Sequence, residues 1–297
     1  MMNFFKNAFK KRQPVSKDVA TAPLSEEQLR SVSYIPVEFF PAHYVFGCAQ
    51  SIGKVRDHNE DSIYTLSTVL SDSQNTLPFG IFIVADGMGG HQHGEAASGT
   101  AVRVMSEYLI SHIYKPHFGS RSEGQTESLQ ELMQNGVAEA QQAVSKRVPG
   151  GGTTLTVSMV IGEQITVSHV GDSRLYFIHP DGRVQIVTQD HSLVRRLVEL
   201  GQLTEEEAAV HPQRNVLYRA IGQAEPFTPD INTLHFPTPG YVMMCSDGLW
   251  GVVPESEILR IIKSSSNLSQ ACYDLVAAAN ELGGPDNISV ILIQYLN

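Results

Sequence analysis

The 297-residue chain is 42% hydrophobic and 18% charged, with 31 acidic against 21 basic side chains and a formal net charge of −10. That apolar fraction can build a sizeable core and excludes wholesale disorder. The acidic balance excludes a general nucleic-acid or anionic-membrane binder, whose surface needs clustered Lys and Arg. Residues 1–18 run against the trend with five basic side chains and one Asp, which leaves −14 on the remainder.

Residues 1–42, with Pro14, Pro23, Pro36 and Pro41 among polar residues, read as a tail and linker. The tail reads first as a mobile terminus. The spacing of Phe4, Phe5 and Phe9 gives a second reading, a short amphipathic segment touching a membrane or a partner. It has no apolar region or cleavage site of a secretory signal, and no stretch of the chain approaches the ~18–20 apolar residues of a membrane span. A cytoplasmic protein is expected. Cys48, Cys245 and Cys272 stand too far apart for a disulfide framework or thiolate zinc site, and read as small buried hydrophobes.

Residues 43–297 read as a single domain. Apolar and β-branched runs predict strands at Ile81–Ala85, Thr154–Ile161, Ile165–Val170, Leu175–His179, Val242–Cys245 and Ile288–Gln294. Helical spacing of Ala97, Ala101, Met105, Tyr108, Leu109 and His112 predicts a first long helix. Leu129, Leu132, Met133, Val137, Ala140 and Val144 predict a second. The stretch Gly119–Gln125 between them reads as an exposed loop. Gly162-Glu163 and Asp181-Gly182 suit hairpins, hence antiparallel pairing. In 189–222, Ser192 caps a short helix that Gly201 ends, and Thr204 with Glu207 forms a capping box for another. This segment is either a flap beside an active site or a surface helical hairpin. A helix through Leu268, Cys272, Leu275, Val276 and Ala279 precedes the last strand. The pattern is α+β, with antiparallel sheets sandwiched by helices.

Apolar runs that stop on an aspartate are the informative feature: VADG (Asp86), VGDS (Asp172) and CSDG (Asp247), with GPDN (Asp286) reversed before the last strand. RDHNEDS adds Glu60 and Asp61. One Asp-Gly is a turn more often than a site. Four carboxylates at core strand ends would repel one another in a partly desolvated space. Only Arg56 and Arg174 stand within these motifs, so bound cations are the simpler neutraliser. All-oxygen donors select Mg²⁺ or Mn²⁺ before Zn²⁺, and the Gly87 carbonyl is a further candidate donor. Two such ions about 3.5–4 Å apart, sharing one carboxylate, activate water and clamp a phosphoryl group. The reaction class is metal-assisted phosphoester hydrolysis.

Together VRDHNEDS, VADGMGGHQHGEAAS, GGTTL, VGDSRLY, TQDHS, RAIG, CSDGLW and GGPDNISVI resemble the metal-dependent serine/threonine protein phosphatases of the 2C type (the PPM family) in their bacterial form, from about Gln50 to Gln294. The resemblance implies a four-layer α-β-β-α sandwich of two antiparallel β-sheets flanked by helices. It also implies hydrolysis of phosphoserine and phosphothreonine by direct attack of a water bridging two Mn²⁺ or Mg²⁺ ions. In that family Asp86 matches the carboxylate shared by both ions, with the Gly87 carbonyl on one. Asp247 and Asp286 match ligands of one ion, and Glu60 or Asp61, with Asp61 preferred, serves the other. Asp172 matches a ligand of a weaker third ion. Arg56 matches the arginine that takes the substrate phosphate, a task suited to a guanidinium fork. Gly151–Thr154 and Asn287 match supporting positions.

Two positions depart from the family. Met88 replaces the histidine that in animal members follows the Asp-Gly, as it commonly does in bacterial ones. Leaving-group protonation then falls to a metal-bound water or another group, with His91 nearest in sequence. His91 and His93 do not make a zinc site by themselves. Gly251 replaces an aspartate of the third-ion site, which weakens that site and leaves the core pair intact. The expected partners are phosphorylated proteins made by a Ser/Thr kinase, and a monomer is expected. The competing functions are a pseudophosphatase binding module and a small-molecule metallophosphoesterase. The full set Asp61, Asp86, Asp247 and Asp286 argues against the former, and 189–222 beside the cleft against the latter. GGGTT (Gly150–Thr154) lacks the GK[ST] ending of a nucleotide loop and precedes a strand.

Overall fold

The computed structural model describes residues 41–71, 76–89, 92–114, 127–223 and 228–297. The expected N-terminal tail up to residue 40, the loop Gly119–Gln125 and His91 lie outside them. The described chain runs β1 (His43–Ser51), β2 (Ser62–Ser71), β3 (Thr76–Ala85), β4 (Gly87–Met88), α1 (Gln92–Leu109) and a π-helical turn Ile110–Tyr114. It continues through α2 (Leu129–Arg147), β5 (Gly152–Thr153), β6 (Leu155–Ile161), β7 (Gln164–Val170), β8 (Arg174–Ile178) and β9 (Val184–Ile186). Then follow α3 (Leu193–Glu199), α4 (Glu205–Ala209), β10 (Asp230–His235), β11 (Tyr241–Cys245), α5 (Asp247–Trp250), α6 (Glu255–Ser264), α7 (Leu268–Glu281) and β12 (Ile288–Leu296).

Two five-stranded sheets form, in the orders β1-β12-β11-β8-β9 and β10-β7-β6-β3-β2, and β4 pairs with β5 in a small third one. Every pairing among the described strands is antiparallel. Gly162-Glu163 closes β6 onto β7 with Ile161 opposite Gln164, and Asp181-Gly182 lies in the β8–β9 connection. Both hairpin expectations hold.

Side-chain alternation explains the layers. In β3, Phe79, Ile81, Ile83 and Ala85 face the stripes of α1 and α2, while Phe82 and Val84 face the other sheet. In β12, Ile288, Val290 and Leu292 face α6 and α7, while Ile291, Ile293 and Tyr295 face inward between the sheets. Strands covered on both faces must be apolar at successive positions, which is why these runs lack polar alternation. The outcome is the four-layer α-β-β-α sandwich with three apolar interfaces. Capping proceeds as the sequence predicts: Ser192 accepts from the Arg195 amide, and Thr204 and Glu207 form a capping box.

Several elements are not singled out by the sequence, among them β2, β10 and α6. The edge strands β2 and β10 are half-buried and rich in Ser, Thr and Asn, so they carry no continuous apolar run. Helix α6 buries Ile258, Ile261 and Ile262 beyond Pro254. One expectation is corrected: Cys48 is exposed, because it sits on the edge strand β1, whereas Cys245 and Cys272 are buried. No helix among the described residues is long and apolar enough to cross a membrane.

Candidate active site

The acidic residues stand at the rim where strands of both sheets end. Asp86 follows β3, Asp172 follows β7, Asp247 opens α5 just beyond β11, and Asp286 precedes β12, while Glu60 and Asp61 lead into β2. Hydrogen bonds to the main chain fix the acids that follow β3 and precede β2. The Asp86 amide donates to Thr154 Oγ1 at 2.8 Å, and its carbonyl accepts from the Thr154 amide at 2.8 Å and Thr153 Oγ1 at 2.9 Å. The Glu60 amide donates to Asn287 Oδ1 at 2.7 Å. Asn287 Nδ2 also donates to the carbonyls of Ile52 and His58, each at 2.9 Å, so one side chain ties down the loop that carries Arg56. Gly87 leaves no room for a side chain, since a Cβ would lie 2.3 Å from the Gly94 carbonyl oxygen and 2.6 Å from that of Glu60.

Asp61 is 7% exposed, and its Oδ2 accepts from Ser246 Oγ at 2.7 Å and Ser289 Oγ at 2.6 Å. Both serines belong to the opposite sheet's ends, so this carboxylate bridges the two sheets. Arg56 Nη2 donates to Asp286 Oδ2 at 2.7 Å, with the Arg56 side chain 49% exposed at the mouth of the site. The Asp286 Oδ1 accepts from the Asn287 amide. Glu60 lies apart from this group, against Gly94 and with Oε1 3.1 Å from His58 Nε2.

Burial and mutual repulsion shape the ionisation of the cluster. Burial, reinforced by Asp247 and Asp286, pushes the Asp61 carboxyl up to about 7 although Ser289 and Ser246 oppose the shift. Asp247 is pushed up to about 6 by burial and then by Asp286. Asp86 is raised well above the ordinary range by burial, Asp61, Asp247, Asp172 and Asp286. Asp172 is raised by burial, Asp247 and Asp190. The aspartates predicted from sequence therefore share one space.

The donor chemistry fits hard divalent cations. Asp61 Oδ1 and Asp247 Oδ1 are buried without a hydrogen-bond partner, a state that costs about 1–3 kcal/mol for a neutral group and more for a charged one. The donors are oxygens, as Mg²⁺ and Mn²⁺ prefer. No formed coordination cage of three or more His, Cys, Asp or Glu side chains is present among the described residues.

A groove of about 480 Å³ runs from this rim, lined by Arg56, Asp172, Asp247 and Asp286 on one side. Val194, Val198, Ala208 and Ala209 of α3 and α4 form the other wall, so the 189–222 segment stands beside the site. Met88 packs toward Gly152, where a Cβ would meet its Cγ at 3.2 Å. His93 is exposed on α1.

Several partners escaped sequence reading. Arg174 reaches Asp190 and stacks on Trp250 at 3.5 Å, so it does not neutralise Asp172 directly. Ser246 and Ser289 hold Asp61 across 185 and 228 residues of chain. Their only sequence signal is position: each stands next to a strand end that carries an aspartate.

The chain and its fold have known relatives. Residues 56–281 match the family described as protein phosphatase 2C. The serine/threonine phosphatase Stp of Listeria innocua is 36% identical over 247 residues, which span 82% of this chain and 92% of that protein. Among solved structures, the S. agalactiae serine/threonine phosphatase superposes with a TM-score of 0.72 at 30% identity, covering 84% of this chain and 99% of that one. The catalytic domain of the serine/threonine protein phosphatase PstP, in complex with 2 manganese ions, gives 0.69 at 26% identity over 86% and 100%. This chain belongs to the protein phosphatase 2C family. It is thereby an enzyme of the serine/threonine phosphatase class.

Proposed function

We propose that the chain hydrolyses phosphoserine and phosphothreonine in proteins phosphorylated by a Ser/Thr kinase, using Mn²⁺ or Mg²⁺ held at the carboxylate rim. The observation that carries this reading is the pair of buried, unpartnered carboxylate oxygens, Asp61 Oδ1 and Asp247 Oδ1, within an oxygen-only cluster. Asp86 would be shared by two ions, with the Gly87 carbonyl, Asp61, Asp247 and Asp286 completing the donor set, and Asp172 serving a third. Two ions there, when bound, supply water activation and neutralise the phosphoryl oxygens for in-line displacement.

The chain's own residues do the rest. Ser246 and Ser289 orient Asp61 so that its other oxygen faces the cluster. Asp61 is favoured over Glu60 because the latter is turned toward His58 and Gly94. Arg56 stands half-exposed at the mouth, where its planar fork can leave Asp286 and take the substrate phosphate in a bidentate grip. The groove against α3 and α4 gives a polypeptide room to lie along the site, so 189–222 acts as a flap of a catalytic unit spanning 43–297. Met88 carries no transferable proton, so protonation of the departing serine or threonine oxygen falls to another donor.

The test is turnover of a phosphothreonine peptide and an aryl phosphate with Mn²⁺, with EDTA and after Mn²⁺ is returned. Activity should vanish with chelation and come back with the ion. Full activity in excess EDTA would falsify the metal reading, and tight Mn²⁺ binding by calorimetry without turnover would instead favour a pseudophosphatase.

A further inference from the structure

A polar cluster outside the acidic rim lies at the root of the α3–α4 segment. His191 is 1% exposed and sits just before the α3 cap Ser192. Its amide donates to the Gly171 carbonyl at 2.7 Å, and the Gly171 amide donates to His191 Nδ1 at 3.0 Å. One residue thus satisfies both backbone groups of the glycine that precedes Asp172. Gly171 has φ +110 and lies so close to Thr154 that a Cβ would meet its Cγ2 at 2.5 Å, so the turn tolerates little displacement. On the other side, the His191 carbonyl accepts from the Tyr218 amide at 2.9 Å, joining the beginning of the segment to its end.

The tautomer follows from donors and acceptors. Because Nδ1 accepts from Gly171, the neutral ring carries its proton on Nε2, 3.1 Å from Asp230 Oδ2. Arg219 Nη1 lies 3.0 Å from the same nitrogen, but it donates to Asp230 Oδ1 at 2.8 Å. Were Arg219 to donate to Nε2, Nδ1 would need the proton and two N–H groups would face each other at Gly171. Asp230 therefore sets the tautomer from β10, and Trp250 Nε1 holds the Asp172 carbonyl from α5 at 3.0 Å.

We propose that His191 is a positioning residue: as the Nε2–H tautomer fixed by Asp230, it clamps Gly171 and so aims the Asp172 carboxylate and the root of α3–α4 as one unit. This rests on reading Asp172 as an ion-facing carboxylate. An outer partner of that kind is worth about 10–100-fold in ion affinity or activity when it is lost.

Long-range correlation spectra of the ring nitrogens in the metal-free protein read the tautomer directly. Nε2 should be protonated and Nδ1 bare near neutral pH, and an Nδ1–H ring or an imidazolium overturns the inference. Two variants separate the two contacts. H191N places an acceptor where Nδ1 was, whereas H191Q reaches toward Asp230 and leaves the Gly171 amide without a partner. Hydrogen exchange at Gly171 should be slow in the wild type, still slowed in H191N and fast in H191Q. The Mn²⁺ concentration giving half-maximal turnover should rise about 10-fold in H191Q, with partial rescue in H191N. Equal behaviour of the two variants overturns the clamp. D172N distinguishes the failures: if it leaves Mn²⁺ dependence unchanged, the reading of Asp172 falls and the inference with it. If D172N shifts that dependence while H191Q does not, the His191 inference alone fails.

Discussion

Asp190 and Asp172 are each 7% exposed and line the same groove, yet the chain treats their charges differently. Asp190 takes three hydrogen bonds from the Arg174 guanidinium, at 2.7, 3.0 and 3.2 Å, and that guanidinium is itself stacked on Trp250. Asp172 keeps a raised pKa, because Arg174 offsets only part of the effect of burial, Asp247 and Asp190. The same contrast holds for Asp61, Asp86 and Asp247, beside which Arg56 is half-exposed and spent on Asp286. A carboxylate that serves the fold has its cation encoded within the chain. Carboxylates left in mutual repulsion are a standing cost that a ligand from solution can relieve.

The largest test of this contrast removes a charge from the repelling group. Asp86→Asn or Asp247→Asn should lower Mn²⁺-dependent turnover of a phosphothreonine peptide by roughly 1,000-fold, the equivalent of several kcal/mol of lost transition-state stabilisation. The metal-free variants should melt no lower than the wild type, since a repulsion has gone. A variant that keeps wild-type turnover breaks the assignment.

Arg174→Met should do the opposite. It strands Asp190 in a buried site, which costs about 3 kcal/mol and should lower Tm by roughly 10 °C. Calorimetric scans of the metal-free protein measure this, and an unchanged Tm would show that Asp190 finds another partner.

The third test is pH. Asp61 and Asp247 have folded-state pKa values above the ordinary 3.8, so the folded chain binds protons that the unfolded chain releases between about pH 4 and 7. Stability of the metal-free protein should therefore rise as pH falls from 8 to 5, by roughly 5 °C in Tm. Saturating Mn²⁺ should reverse that slope, because the ion binds the deprotonated groups. A slope of the same sign with and without Mn²⁺ would place the ion elsewhere.

The smallest structural effect is expected at Arg56. Arg56→Ala breaks an exposed pair and should shift Tm by less than about 2 °C. The KM for phosphopeptides should rise about 10-fold, as for the loss of one charge-assisted contact. An unchanged KM would show that the phosphate is held by other groups.

Much of this was legible before the structure because two physical signals coincide. β3 and β12 are covered on both faces and so read as unbroken apolar runs, and an aspartate ending such a run stands out. The half-buried edge strands β2 and β10 carry no such signal, and the exposure of Cys48 follows from its place on an edge strand that local pattern does not reveal. The acids of the rim could be found one at a time, whereas their partners could not. Ser246 and Ser289 on Asp61, Arg174 on Asp190, and Gly171 on His191 are meetings between distant parts of the chain. Local pattern carries no information about which distant residue will arrive.

The two sheets meet at the acidic rim through Asp61, which belongs to the approach to β2 and is gripped by serines at the ends of β11 and β12. At the far edge the Tyr44 hydroxyl of β1 donates to the Gly162 carbonyl of the β6–β7 turn, so the sheets are fastened there as well. One fastening is built of neutral groups and needs no ligand. The other gathers carboxylates from both sheets, and an ion seated among them would act as a removable cross-link, closing a loop that spans most of the domain. Ion occupancy would then govern resistance to proteolysis and unfolding as directly as it governs turnover.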